Sequence, residues 1–214
     1  MEKLGEKFVS RVKSWGIELY GHKKLIILSL LFLGLAIILE YISGNYVDKA
    51  GGVEVTDLFL DLLPPTDLSY LFVYGFILIF LFMFLYPLFF KVHQLHKVIS
   101  QFSLLVIIRS IFICLTHLKL PTDAILPVFP GGIQNFAFGN DLFFSGHVAV
   151  PFLGFLIFEN KKIKYFFLAM SVIMAITVLS MHLHYSIDVF AAFFITYGSY
   201  KMGQVLFRNF EKKT

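Results

Sequence analysis

The sequence predicts an all-α, polytopic membrane protein: a bundle of six transmembrane helices preceded by an amphipathic helix. Three observations carry that reading. The 214 residues are 58% hydrophobic and 15% charged, with a mean hydropathy of +0.80, whereas soluble domains carry roughly a quarter charged residues. Six windows approach the length of about 20 apolar residues that a helix needs to cross a hydrocarbon core about 30 Å thick. No ten-residue alternation of apolar and polar residues points to a barrel, so backbone groups in lipid must be satisfied within helices.

In chain order the windows are 25–43, 68–90, 98–118, 142–158, 165–182 and 185–207. The fourth is short, and the narrow gap between the fifth and sixth predicts a tight re-entry. Ahead of them, residues 1–24 read as a cytoplasmic amphipathic segment, because Leu4, Phe8, Val12, Trp15 and Leu19 recur at helical spacing. Its mixed charge, and the lack of a small-x-small site after the first apolar run, argue against a signal peptide. The chain then divides into 1–24, a six-span domain 25–207, and a cytoplasmic tail 208–214. Cys114, in the third window, is the one cysteine, so no intrachain disulfide can form. The sequence carries no internal repeat, low-complexity tract or nucleic-acid motif. The 27 phenylalanines suit lipid contact and inter-helix packing and say nothing about chemistry.

Charge sets the expected topology. All of the 18 lysines and arginines except Lys49, Lys119 and Arg109 fall before the first window, in the second and fourth connections, or in the last segment. By the positive-inside rule both termini are cytoplasmic, and the inner surface is basic and suited to anionic lipid head groups. The opposite loops are acidic, with Asp48, Glu54, Asp57, Asp61, Asp67, Asp123 and Asp141. The net charge of +4 is therefore a topology signal first.

Polar residues gather at the extracytoplasmic ends of windows four and six. There DLFFSGHVAV (141–150) places Ser145, Gly146 and His147 at the mouth of an apolar span, and MHLHYSIDVF (181–190) places His184 four residues before Asp188. If a helix begins at His184, both side chains share one face. A carboxylate beside one imidazole nitrogen fixes the tautomer and leaves the other as nucleophile or base. Ser145 suits an N-cap, and Gly146 lets a ligand approach the free N–H groups of a first turn, where the helix dipole favours an anion. Ionisable residues at membrane depth mark function by default. Arg109, about nine residues from the outer end of its window, is about 13 Å deep at 1.5 Å per residue, and must pair with Asp188, reach a phosphate or be hydrated. Lys119 lies near head-group level, as a phosphate clamp or a solvated loop charge. LPPTD (63–67) reads as a helix-starting turn.

GNDLFFSGH (139–147) and HYSID (184–188) resemble the two signature motifs of the sphingomyelin synthase branch of the type 2 phosphatidic acid phosphatase superfamily, and span count and loop order extend the resemblance over residues 25–205. The resemblance implies a cofactor-free, metal-independent lipid phosphotransferase working through a phosphohistidine. His184 would attack phosphorus, Asp188 would orient its ring, and His147 would protonate the leaving alkoxide and then activate the acceptor. Ser145, Gly146, Asp141, Arg109, Lys119 and Tyr185 would bind phosphate or substrate. The implied partners are a membrane phospholipid and a lipid alcohol such as diacylglycerol or ceramide; water as acceptor would make a lipid phosphate phosphatase or a phospholipase C-like hydrolase. The chain departs from the family pattern in three places: the Lys-x6-Arg-Pro motif of the phosphatases is missing, His182-Leu183-His184-Tyr185 stands where the branch has His-Asp-His-Tyr, and Val148 stands where Thr is usual. These bear on head group and acceptor more than on reaction type. Other classes the residues allow are a transporter relay, without the inverted repeats that would favour it, an inactive scaffold, and a metal site from His147, His182, His184 and Asp188, which needs a non-helical segment before Tyr185.

Overall fold

The computed structural model describes residues 2–128 and 140–208, with side chains from Ser10 onward. Gly139 of the first motif, the side chains of Lys3, Leu4, Lys7 and Phe8, and the tail beyond Arg208 with Lys212 and Lys213 lie outside the described residues.

The described chain is helical: α1 (Glu2–Gly21), α2 (Lys23–Ala50), α3 (Leu58–Leu62), a π-helical turn (Leu71–Gly75) running directly into α4 (Phe76–Phe90), α5 (Val92–Leu115), α6 (Gly146–Ile157), α7 (Lys161–Ser180) and α8 (Ser186–Leu206). Four stretches are long and apolar enough to cross a membrane: α2, the π turn with α4, α5 and α7. α6 has 12 residues. α8 has the length, at 21 residues, but carries Asp188 and Lys201 and is not among the four.

The main core lies among α4 to α8, where Ile79, Met83, Leu153, Phe167, Met174 and Ala192 are fully enclosed. α6 and α7 approach closely because Gly154 has no side chain: a Cβ there would lie 2.5 Å from the Phe167 ring. α2 stands outside this core, packs chiefly on α5, and has only 11% of its span window buried. α1 folds back on the α4–α5 turn. Trp15 and Leu19 pack against Ile26, Val92, Leu95 and Ile99, and Trp15 Nε1 donates to the Leu88 carbonyl at 2.7 Å. Val12, expected on the same face, is half exposed.

Two helix ends differ from the expected windows, and both differences shape the site. α5 stops at Leu115, and residues after it run extended to form a parallel bridge, Val53 with Leu118. That bridge requires glycine next to it, since a Cβ on Gly52 would sit 2.5 Å from the Leu118 backbone. Arg109 is therefore six residues from its helix end, about 9 Å at 1.5 Å per residue, shallower than expected. α7 ends in a paired reverse-bond motif: His182 N–H donates to Leu179 O and Leu183 N–H to Val178 O, both at 3.0 Å, with His182 in the left-handed region at φ 55. Glycine usually fills that position. Here the ring compensates, as Nδ1 bonds Asp123 Oδ2 and Nε2 bonds the Leu63 carbonyl, each at 2.9 Å.

Candidate active site

α8 begins two residues later than the His-x3-Asp spacing suggested. Tyr185 is its N-cap, with extended backbone (φ −73, ψ 157), so His184 precedes the helix and does not share a helical face with Asp188. Asp188 turns back to the cap: Oδ2 accepts from Tyr185 N–H at 3.0 Å. His184 Nδ1 lies 3.6 Å from the same oxygen, beyond hydrogen-bond length, and meets the Leu142 carbonyl at 3.0 Å instead. A carbonyl only accepts, so Nδ1 carries a proton, and in the neutral ring Nε2 keeps its lone pair. The tautomer expected from Asp188 is thus set by the backbone of the first motif.

The segment Asp141–Phe144 is gripped from α5. Arg109 Nη2 donates to Asp141 O at 2.5 Å and Asp141 Oδ2 at 3.0 Å, and Nε to Phe144 O at 3.3 Å. Its Nη1 pairs with Glu40 on α2, whose Oε2 accepts from Ser110 Oγ at 2.7 Å. Arg109 does not bond Asp188. Glu40 lies in the first apolar window, and its signal in the sequence is the same as that of Arg109: an ionisable group at membrane depth needs a partner.

Ser145 occupies the N-cap position of α6, but its hydroxyl makes no capping bond. It is fully buried, and Oγ has no partner among the described residues. Likewise Gly146, His147 and Val148 N–H groups meet no acceptor among the described residues, and α6 presents an uncapped first turn. The Ser145 N–H bonds the Asp188 carbonyl at 3.3 Å, which brings the two motifs together. Among the described residues a Cβ on Gly146 would meet only Arg109 Nε, at 3.6 Å, so their packing alone does not require glycine there.

The His147 ring lies between two phenylalanines, Phe72 at 3.8 Å and Phe76 at 4.1 Å between centroids. Its Nε2 is buried without a hydrogen-bond partner among the described residues. Phe72 lies in the π turn and Phe76 directly after it. π turns recur at functional sites, yet an all-apolar window gives no sequence signal for one.

The loops close over α8. Tyr185 Oη donates to the Lys119 carbonyl at 2.8 Å and accepts from Val55 N–H at 3.3 Å. Lys119 contributes this carbonyl while its side chain is exposed. Asp57 caps two helices at once, Oδ1 accepting from Phe59 and Leu60 N–H and Oδ2 from the N–H and hydroxyl of Ser186. Beside Tyr185 an acidic cavity of about 360 Å³ is lined by Glu54, Asp57, Asp61, Asp123 and His182. Both ring nitrogens of His182 are engaged there, so it is not gathered with His147, His184 and Asp188. No group of three metal-ligating side chains occurs among the described residues. In LPPTD, Asp67 Oδ1 accepts from Ser69 N–H at 2.9 Å, at the start of the next helical stretch.

Residues 139–204 match the family model described as PAP2 superfamily C-terminal. No curated protein and no solved structure gives a significant match to the chain. The matched segment includes Asp141, Ser145, Gly146, His147, His184 and Asp188, and excludes Glu40, Phe72 and Arg109. Over that segment the chain is similar to the PAP2 superfamily, which supports a membrane enzyme of the lipid phosphatase and phosphotransferase type.

Proposed function

We propose that this protein is an integral-membrane lipid phosphotransferase of the sphingomyelin synthase-like kind, moving a phospho-head group from a phospholipid to a lipid alcohol, diacylglycerol or ceramide, through a phosphohistidine. Six helices, α2, α4 with its π turn, α5, α6, α7 and α8, cross the bilayer. Both termini are cytoplasmic and the site opens on the other side, as the distribution of Lys and Arg supports. One observation carries the reading of the site: Ser145 Oγ and His147 Nε2, at the uncapped first turn of α6, and Asp188 Oδ1, in the first turn of α8 bonded to it through Ser145 N–H, are buried and unpartnered among the described residues. Buried polar atoms are otherwise almost always bonded. A tetrahedral phosphoryl group offers acceptor oxygens to the N–H groups and to the hydroxyl, at the positive end of a helix dipole.

In the first half-reaction the Nε2 lone pair of His184 forms the N–P bond as the P–O bond to the diacylglycerol oxygen breaks, and His147 gives that oxygen its proton. The Nδ1–H of His184 stays on the Leu142 carbonyl, so the cationic phosphoimidazole needs no further proton movement. In the second half-reaction the acceptor hydroxyl loses its proton to His147 while its oxygen attacks phosphorus, and the N–P electron pair returns to Nε2. Asp188, 3.6 Å from Nδ1, supplies negative charge beside the positive ring.

The test is lipid mass spectrometry on purified protein in mixed micelles, with and without ceramide or diacylglycerol, comparing wild type with His184→Ala. Diacylglycerol and a new head-grouped lipid appearing together, only with acceptor and only in wild type, is the expected result. Phospho-head group released without acceptor identifies water as acceptor and a hydrolase. Normal turnover in His184→Ala removes the phosphohistidine.

A further inference from the structure

We propose that Glu40 on α2 is a positioning residue: through Arg109 it holds the segment Asp141–Phe144 in place, and with it the tautomer of His184.

Four of the five N–H donors of Arg109 are spent on protein acceptors: one on Glu40, two on Asp141 and one on Phe144. The guanidinium is thus a clamp on the backbone approaching α6, not an open cation facing a phosphate. It grips both ends of a four-residue segment, at Asp141 and at Phe144. Between the grips lies Leu142, whose carbonyl decides which nitrogen of His184 keeps the proton. Whatever displaces that segment displaces the acceptor.

Glu40 completes the clamp from the far side. Its side chain is 22% exposed and that of Arg109 12%. Loss of the acid leaves one end of a nearly buried cation unpaired, which is costly and drives the guanidinium to a new arrangement. α2 otherwise gives little to the core, so a carboxylate on it at membrane depth is an expense that stability of the bundle does not explain. Ser110, next to Arg109 on α5, fixes the second oxygen of Glu40 and sets the carboxylate's angle to the fork.

The kinetic consequence rests on the reading of His184 as nucleophile; the tautomer does not. The experiment is long-range ¹H–¹⁵N spectroscopy of histidine-labelled protein in micelles, with the His184 signals assigned by their loss in His184→Ala. Wild type is expected to show a single Nδ1–H tautomer. Glu40→Gln and Arg109→Lys, which lacks the planar fork, should give a mixture, and Glu40→Asp should recover more of the native tautomer than Glu40→Gln. In the lipid assay the same variants should lose about 10²-fold in kcat, the scale of a small misplacement of reacting groups, with KM nearly unchanged. An unaltered His184 tautomer in folded Glu40→Gln and Arg109→Lys overturns the proposal. Should Glu40→Gln fail to fold, Ser110→Ala loosens Glu40 more gently, and an unaltered tautomer there overturns it equally. If wild type turns over no lipid, the proposed reaction fails while the spectra still decide the role of Glu40.

Discussion

The Leu142 carbonyl holds His184 Nδ1 at 3.0 Å, while Asp188 Oδ2 stands 3.6 Å from the same nitrogen. On the proposed mechanism the two acceptors have separable roles, the carbonyl setting the tautomer and the carboxylate stabilising positive charge. Asp188→Asn should keep the Nδ1–H tautomer yet lower kcat by about 10²-fold, the order expected for a lost electrostatic contact in a water-poor site. A tautomer switch in that variant would show that the carboxylate, not the carbonyl, is the orienting group.

Ser145→Ala separates function from stability. The hydroxyl is buried without a partner among the described residues, so removing it should change the unfolding free energy by no more than about 0.5 kcal/mol, because the lost group was an unsatisfied polar one. If the hydroxyl meets the phosphoryl group, kcat/KM should fall about tenfold, one charge-assisted hydrogen bond. Thermal melts and lipid turnover on one preparation test both halves; a large loss of stability would mean the hydroxyl is bonded in the folded protein.

Asp57 holds the N-termini of α3 and α8 together. Asp57→Ala removes both caps and should destabilise by about 2 kcal/mol, at about 1 kcal/mol per cap. Burial alone would raise its pKa, but hydrogen bonds from Ser186, Leu60 and Phe59 more than offset this and hold it below the ordinary carboxylate value. A carboxyl depressed on folding contributes fully above its unfolded pKa, about 3.9, and loses that contribution as pH falls through the folded value. The stability gap between wild type and Asp57→Asn should be constant from pH 7 to 5 and narrow below about pH 4; a gap that widens in acid would contradict the sign.

His182 sits at φ 55 with both ring nitrogens bonded. His182→Ala loses both bonds and keeps the left-handed strain. His182→Gly loses the same bonds and relieves the strain, so it should be more stable than the alanine variant by about 1 kcal/mol. Equal stabilities would mean that the backbone relaxes out of that region once the ring is gone.

Much of the candidate site was legible in the sequence. The pairing of Ser145-Gly146-His147 with His184 and Asp188 follows from polar residues interrupting apolar windows, and the matched segment contains all of them. The Glu40–Arg109 pair was half readable, since each charge is anomalous in its window, but nothing along the chain says which two anomalies meet. The orienting role of Leu142 could not be read, because a backbone carbonyl carries no residue type. The same holds for Arg109: its deeper expected position assumed that α5 ran through residue 118, whereas the chain leaves the helix at Leu115 to bridge Val53.

By itself the sequence determined the solvent, the helical class and the chemistry on offer, because hydropathy, charge distribution and residue type are local properties that survive without coordinates. Only the tertiary structure decided how that chemistry is held. The capping of α8 draws Asp188 away from His184, the carbonyl of Leu142 takes its place, and an acid from α2 pairs with the arginine for which the sequence left Asp188, phosphate or water as partners. The last two are contacts between segments distant in the chain, fixed by where helices end and how closely they pack. Neither is encoded in the spacing of any one motif.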